Sequence, residues 1–247
     1  MKQMFELSGE GMDLDALTRL FGQGPATVEK HAEGYYLEIA SADPGLSDDD
    51  ALAVAQEELS RMNGIALMVH GNHLPPKVKG VSTKNPHTGE LTTRIPLRCH
   101  VESRSRLYQA LHVEKADGSL ISDPLSKVGE NLLRLSSTTE PLARALYLYG
   151  AAGYDWRGLY MVLDAIEEGN GGGKELEKKE FAKPYKKKVE TFTRTVNNFN
   201  KLGLDARHAK RAYKEPKDEM TFSEAQKLFG NLLTAWVKEL EKVQPSP

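Results

Sequence analysis

The sequence predicts an α+β protein, with a strand-rich mixed domain over residues 1–121 and an all-α helical bundle over 122–247. Two observations carry this. Before residue 121 the apolar runs are short and separated by Gly, Pro and Asn turns. After it every apolar stripe recurs at helical spacing. The switch falls at Ser122-Asp123-Pro124, a polar cap followed by proline at the first helical position.

In the first half, Leu14, Leu17, Leu20 and Phe21 predict a short helix over 13–21, closed by Gly22-Gln23-Gly24-Pro25. Tyr35 to Ile39 is strand-like. Ser47 with Asp48, Asp49 and Asp50 opens a helix running to Met62, with Gly64 beyond its end. Ile65 to His70 is then a short apolar strand. Val78 to Thr83 and a strand from Leu91 flank the turn Asn85-Pro86-His87-Thr88-Gly89. Leu91 to Glu102 and Leu107 to Glu114 complete the predicted strands.

In the second half, Leu125, Val128, Leu132 and Leu135 give the first helix stripe, and Leu142, Ala145, Leu146 and Tyr149 the next. Asp155 caps a third helix carrying Trp156, Leu159, Tyr160, Leu163 and Ile166, with Gly169 past its end. The Gly171 to Lys179 stretch reads as a mobile loop. Pro184 opens a fourth helix with Val189, Phe192, Val196 and Phe199 as its stripe. Thr221-x-x-Glu224 is a capping box for the last, which presents Ala225, Leu228, Leu232 and Trp236.

Composition is that of a globular domain, 39% hydrophobic and 28% charged. The lone Cys99 excludes an internal disulfide and a Cys-based zinc site. The N-terminus lacks the apolar core of a signal peptide and no run is long enough to span a membrane, so the expectation is a cytoplasmic protein with no membrane partner. Charge is unevenly spread. Residues 1–60 hold three Lys/Arg against thirteen Asp/Glu, while 183–217 hold eleven against three. Such polarity suits a polyanion at the basic end, or association of the unlike ends within or between chains.

The basic connection between the last two helix patterns concentrates the candidate binding residues: Arg194, Asn197, Asn198, Arg207, His208, Arg211, Tyr213 and Lys214. Arg194 and Asn198 are four apart and off the Val189/Phe192/Val196 stripe, which predicts that they point outward together. Guanidinium forks suit phosphate oxygens, a neighbouring His can move a proton, and Tyr213 beside Lys214 suits base stacking. The structural alternative is that Asn197, Asn198 and Arg207 tie down the helix crossing by bonding loop carbonyls.

Tandem amphipathic helices closed by an Asn/Arg/His-containing turn resemble the HEPN superfamily of helical domains in prokaryotic defence and toxin systems, over residues 122–243. The resemblance implies a module that binds RNA, a nucleotide or another defence protein. Many active HEPN ribonucleases carry an Arg followed four to six residues later by a His. Here Arg207 and His208 are adjacent, and the matching spacing of Arg106 and His112 falls in a predicted strand, so the ribonuclease motif is not matched.

His70 and His73 on one loop, with His87, Cys99 and His100 nearby, are the candidate metal ligands, although no His-Glu-x-x-His or Cys pair accompanies them. No P-loop or Gly-x-Ser-x-Gly elbow is present, and no cofactor is expected. The leading expectation is a non-enzymatic binding protein presenting a basic helical surface to RNA or a nucleotide in a bacterial defence or stress system. The alternative is a metal-independent ribonuclease with His208 as general acid–base and Arg207 or Arg194 on the phosphate. A third reading is a metal enzyme using His70 and His73.

Overall fold

The structure, a computed structural model, describes residues 3–40, 43, 45–71, 73–84, 91–94, 124–207 and 220–243. The architecture is α+β, an antiparallel sheet early in the chain and helices after it. The chain divides into two compact units: Met1–Ala66 with His73–Arg134, and Leu67–Asn72 with Leu135–Pro247.

The first unit is built on a five-stranded sheet of order β2-β3-β1-β4-β5, antiparallel throughout. The strands are β1 (Gln3–Ser8), β2 (Ala26–His31), β3 (Gly34–Ile39), β4 (Lys77–Lys84) and β5 (Leu91–Arg94). The register aligns Val28, Leu37, Phe5 and Val81 in one row across four strands. Residues directly opposite in a ladder share a face, and all four are buried. Leu14, Leu17 and Leu20 of α1 (Gly11–Leu20) join this core, as the sequence predicts.

β1 and β2 were not among the predicted strands, for different reasons. β1 is central, and its adjacent Met4 and Phe5 are both buried, which erases the period-two alternation. β2 is an edge strand in which only Ala26 and Val28 are buried. The segments 95–102 and 107–114, and the turn 85–90, lie outside the described residues.

α2 (Asp48–His70) begins as expected, with the Ser47 hydroxyl accepting from Asp50 N–H at 3.2 Å. It does not stop at Gly64, and the strand expected over 65–70 is helix. A glycine inside a helix costs about 1 kcal/mol relative to alanine. Full burial of Met62 and Ile65 on either side of it returns roughly 1.5–3 kcal/mol each. The actual stop is Gly71, whose φ of 75° closes the helix with its N–H on the Leu67 carbonyl at 2.8 Å.

α3 (Pro124–Thr138) begins where proline predicts, though Val128 of its predicted stripe is exposed and Leu132, Leu133 and Leu135 are buried. The second unit comprises the end of α3 with α4 (Glu140–Ala152), α5 (Trp156–Gly169), α6 (Gly173–Leu176), α7 (Lys186–Val196), α8 (Phe199–Leu202) and α9 (Phe222–Val243). Asp155 caps α5 by accepting from Gly158 N–H at 2.7 Å. Thr221 and Glu224 form the predicted reciprocal cap of α9, with Glu224 Oε2 on Thr221 N–H at 2.8 Å and Thr221 Oγ1 on Glu224 N–H at 3.3 Å. Phe192 anchors the aromatic core, stacked on Trp156 and Tyr160 and edge-on to Phe229 at 4.7 Å.

The glycine-rich segment is ordered structure rather than a loose loop. Gly171 and Gly172 take φ of 85° and 99°, and Gly172 N–H returns to the Glu167 carbonyl at 2.7 Å. That turn launches α6, whose Leu176 is buried, and a 3-10 turn (Lys183–Tyr185) leads into α7. Among the described residues no helix is long and apolar enough to cross a membrane.

Candidate functional site

The second unit brings charge and shape together along one flank of α5. Leu159, Val162, Leu163 and Ile166 face its core. Arg157, Tyr160, Asp164 and Glu167, three or four residues apart, run along another side. The chain leaving α7 returns onto this side.

Arg157 holds the returning chain. Its guanidinium donates to the carbonyl of Leu204 at 2.6 Å and to that of Ala206 at 3.2 and 3.3 Å. Arg207 N–H reaches back to the Val196 carbonyl at 2.8 Å, and the Arg207 guanidinium carbon lies 3.8 Å from the centroid of the Tyr160 ring. Burial pushes the Asp164 carboxyl above the usual carboxylate range, opposed by Arg207. Burial also raises Glu167, helped by the Asp164 and Glu177 carboxylates and again opposed by Arg207.

Beside Glu167 opens a cavity of about 590 Å³ formed by α5, α6, α7 and α9, within the size range of ligand pockets. Leu176, Ala182, Val189 and Leu232 supply apolar wall. The charged lining is Glu167, Glu177, Lys186, Glu190 and Arg194. Lys186 pairs with Glu177 at 2.8 Å, and Arg194 pairs with Glu190 one turn earlier on the same helix.

The predicted binding residues are thus only partly gathered. Arg194 is exposed and lines the cavity. Asn198 does not point outward beside it: α7 ends at Val196, and Asn198 is buried as the residue preceding α8. Asn197 is buried too, and Asn197 Oδ1 and Asn198 Nδ2 have no hydrogen-bond partner among the described residues. Arg207 lies on Tyr160, while His208, Arg211, Tyr213 and Lys214 are outside the described residues. The sequence reading missed Arg157, Asp164 and Glu167; Tyr160, which it placed in the core, is half-buried, stacking on Phe192 while Arg207 lies over its ring. Their signal was present as the polar 157/160/164/167 spacing opposite the Leu159/Val162/Leu163/Ile166 stripe.

The first unit holds a second polar cluster. His73 is fully buried, with Nδ1 3.1 Å from Asp13 Oδ1 and Nε2 2.9 Å from Asn63 Oδ1. Asn63 Nδ2 donates to the Pro76 carbonyl at 3.1 Å, and Asp13 Oδ1 accepts from Leu74 N–H at 2.9 Å. Both ring nitrogens of His73 therefore face protein oxygens, which is the arrangement of a structural knot pinning the segment after α2 to α1. Its former metal companion, His70, ends α2 in the segment Leu67–Asn72. Among the described residues no three His, Cys, Asp or Glu side chains are grouped to hold a metal ion, and His87, Cys99 and His100 lie outside them.

No family model, curated protein or solved structure matches this chain.

Proposed function

We propose that the helical unit is a non-enzymatic binding module that takes a phosphate-bearing polymer, RNA in the first instance, on the lysine-rich side of α6 and α7. The observation that carries this reading is the division of cations between paired and unpaired. From Lys174 to Arg194 the chain holds eight Lys/Arg against four Glu. Lys178, Lys183, Lys186 and Arg194 each pair with one of those glutamates. Lys174, Lys179, Lys187 and Lys188 are exposed and make no ion pair among the described residues.

Lys186, Lys187 and Lys188 also occupy the first turn of α7, where no acid is present. Cations there oppose the helix dipole. A phosphate oxyanion placed against this turn would relieve that opposition, which supports the reading. The HEPN-like pattern read in the sequence, which implies RNA, a nucleotide or a protein partner, is the reason for taking RNA first among polyanions. The ribonuclease alternative needs His208 beside a free guanidinium from Arg207 or Arg194; Arg207 lies over Tyr160 facing Asp164 and Glu167, and Arg194 pairs with Glu190.

Fluorescence anisotropy with a labelled single-stranded RNA tests the proposal. Four phosphate contacts predict that log K falls against log salt with a slope of about −3, at about −0.7 per contact. Combining Lys187→Ser with Lys188→Ser lowers the steepness by about 1.4 on the same basis. Absent binding, or affinity indifferent to salt, overturns the reading.

A further inference from the structure

We propose that the cavity between α5, α6, α7 and α9 is a site for a linear alkylammonium group, independent of any RNA surface. Three features of the cavity specify that chemistry. Its wall carries Leu176, Ala182, Val189 and Leu232, which suit a hydrocarbon chain. Its two cations are already matched, Lys186 by Glu177 and Arg194 by Glu190. That leaves Glu167 as the carboxyl in the lining without an ion pair among the described residues, so the lining carries one negative charge more than positive.

The place of Glu167 is set by its neighbours. A Cβ built on Gly173, itself in the lining, would stand 3.0 Å from Glu167 Oε1 and 3.1 Å from its carboxyl carbon. The absent side chain is what lets this carboxyl rest against the α6 backbone at the cavity edge. Around it stand Asp164 on its own helix, Glu177 after α6, Lys186, Glu190 and Arg194 on α7, and Arg207 on the returning chain, while α9 contributes apolar Leu232. Burial and the Asp164 and Glu177 carboxylates raise the Glu167 carboxyl, and Arg207 compensates them only in part. An incoming ammonium answers that imbalance, and its alkyl stem covers the apolar wall. An anion would meet three glutamates and two cations already engaged.

Methyl chemical-shift titration of the full chain, read at Leu176, Val189 and Leu232, locates and measures the binding. The probes are n-hexylammonium, hexanol and hexanoate. Hexylammonium is expected to bind at least about tenfold more tightly than hexanol, the worth of one charge-assisted contact, with hexanoate weakest. Glu167→Gln removes that advantage and leaves hexanol unchanged. Affinity for hexylammonium rises with pH as Glu167 ionises, above the ordinary carboxylate range, and Glu167→Gln flattens the profile. Gly173→Ala, which keeps the charge but crowds the carboxyl, weakens hexylammonium severalfold with circular dichroism unchanged. Nα-acetyl-lysine methylamide distinguishes the sources: equal affinity assigns the site to lysine side chains of a partner, and exclusion assigns it to free amines. Equal binding of hexylammonium and hexanol, or a hexylammonium affinity untouched by either substitution, overturns the proposal.

Discussion

Replacing Asp13 with alanine tests whether the buried Asp13–His73–Asn63 cluster holds the fold or serves a metal. The carboxylate is 4% exposed, accepts Leu74 N–H at 2.9 Å and lies 3.1 Å from His73 Nδ1. Its removal leaves the Leu74 amide without its acceptor and takes away the carboxylate that lies beside a fully buried imidazole. An unsatisfied buried polar group costs about 1–3 kcal/mol, so Asp13→Ala, which orphans the Leu74 amide, should cost about that much. That is a large share of the roughly 5–15 kcal/mol that stabilises a domain. Asp13→Asn keeps an oxygen for Leu74 and should fall in the lower half of that range. Urea unfolding followed by circular dichroism supplies the free energies. A cycle with His73→Ala should show coupling of about 0.5–3 kcal/mol, as groups in one network do. Added zinc should leave the wild-type midpoint where it is, because His73 presents both nitrogens to protein oxygens. An Asp13→Ala protein within about 0.5 kcal/mol of wild type, the range of an ordinary surface change, would refute the knot. So would a zinc-dependent rise in the midpoint.

Three further outcomes follow from the helical unit. Thr221→Ala removes the hydroxyl that caps α9 and should cost about 1 kcal/mol in urea unfolding, within the usual range for a lost N-cap. The Thr221 amide and hydroxyl hold the Glu224 carboxyl below its ordinary value, so its contribution is present above the unfolded-state value and lost as pH falls through the folded one. Glu224→Gln should remove that acid-side dependence. Phe192→Ala empties the site where Trp156, Tyr160 and Phe229 meet and should cost about 3–5 kcal/mol, read as a drop in thermal midpoint with near-ultraviolet circular dichroism losing intensity.

The helical unit was largely legible because its helices announce their own ends. Asp155 and the Thr221–Glu224 box act through bonds made within one turn, so three or four residues of sequence contain the whole interaction. The sheet was less legible because strand identity is settled by partners far along the chain. Phe5 is a sheet residue by virtue of Leu37 and Val81, and nothing in Gln3–Ser8 alone names them. Glycine misled for a related reason. Gly64 and Gly71 are the same residue, and only burial of the helix beyond Gly64 tells a tolerated glycine from a terminating one. The α5 flank was hidden similarly, since Tyr160 packs on Phe192 as its spacing predicts, but Arg207, which lies over the same ring, comes from far along the chain.

The basic residues late in the chain show why composition finds a charged region but not a site. Arg157, Arg194, Arg207 and Lys187 carry one positive charge each, yet their commitments differ. Arg157 is bound to two backbone carbonyls, which an anion drawn to it must displace, and Arg207 lies over an aromatic ring where the Asp164 and Glu167 carboxylates oppose an anion. Arg194 already holds Glu190 in an i,i+4 surface pair, so its charge is matched within α7. Lys187 and Lys188 have no ion pair to displace among the described residues. Polyanions should therefore collect at the start of α7, and ammonium groups at Glu167, on opposite signs of charge within one unit. Salt separates the two. A polymer contacting several lysines releases several counterions, whereas one ammonium in a half-enclosed cavity forms one screened pair and keeps its apolar contacts. Raising salt should strip RNA steeply and hexylammonium only shallowly; parallel loss would mean that a single diffuse charge effect underlies both.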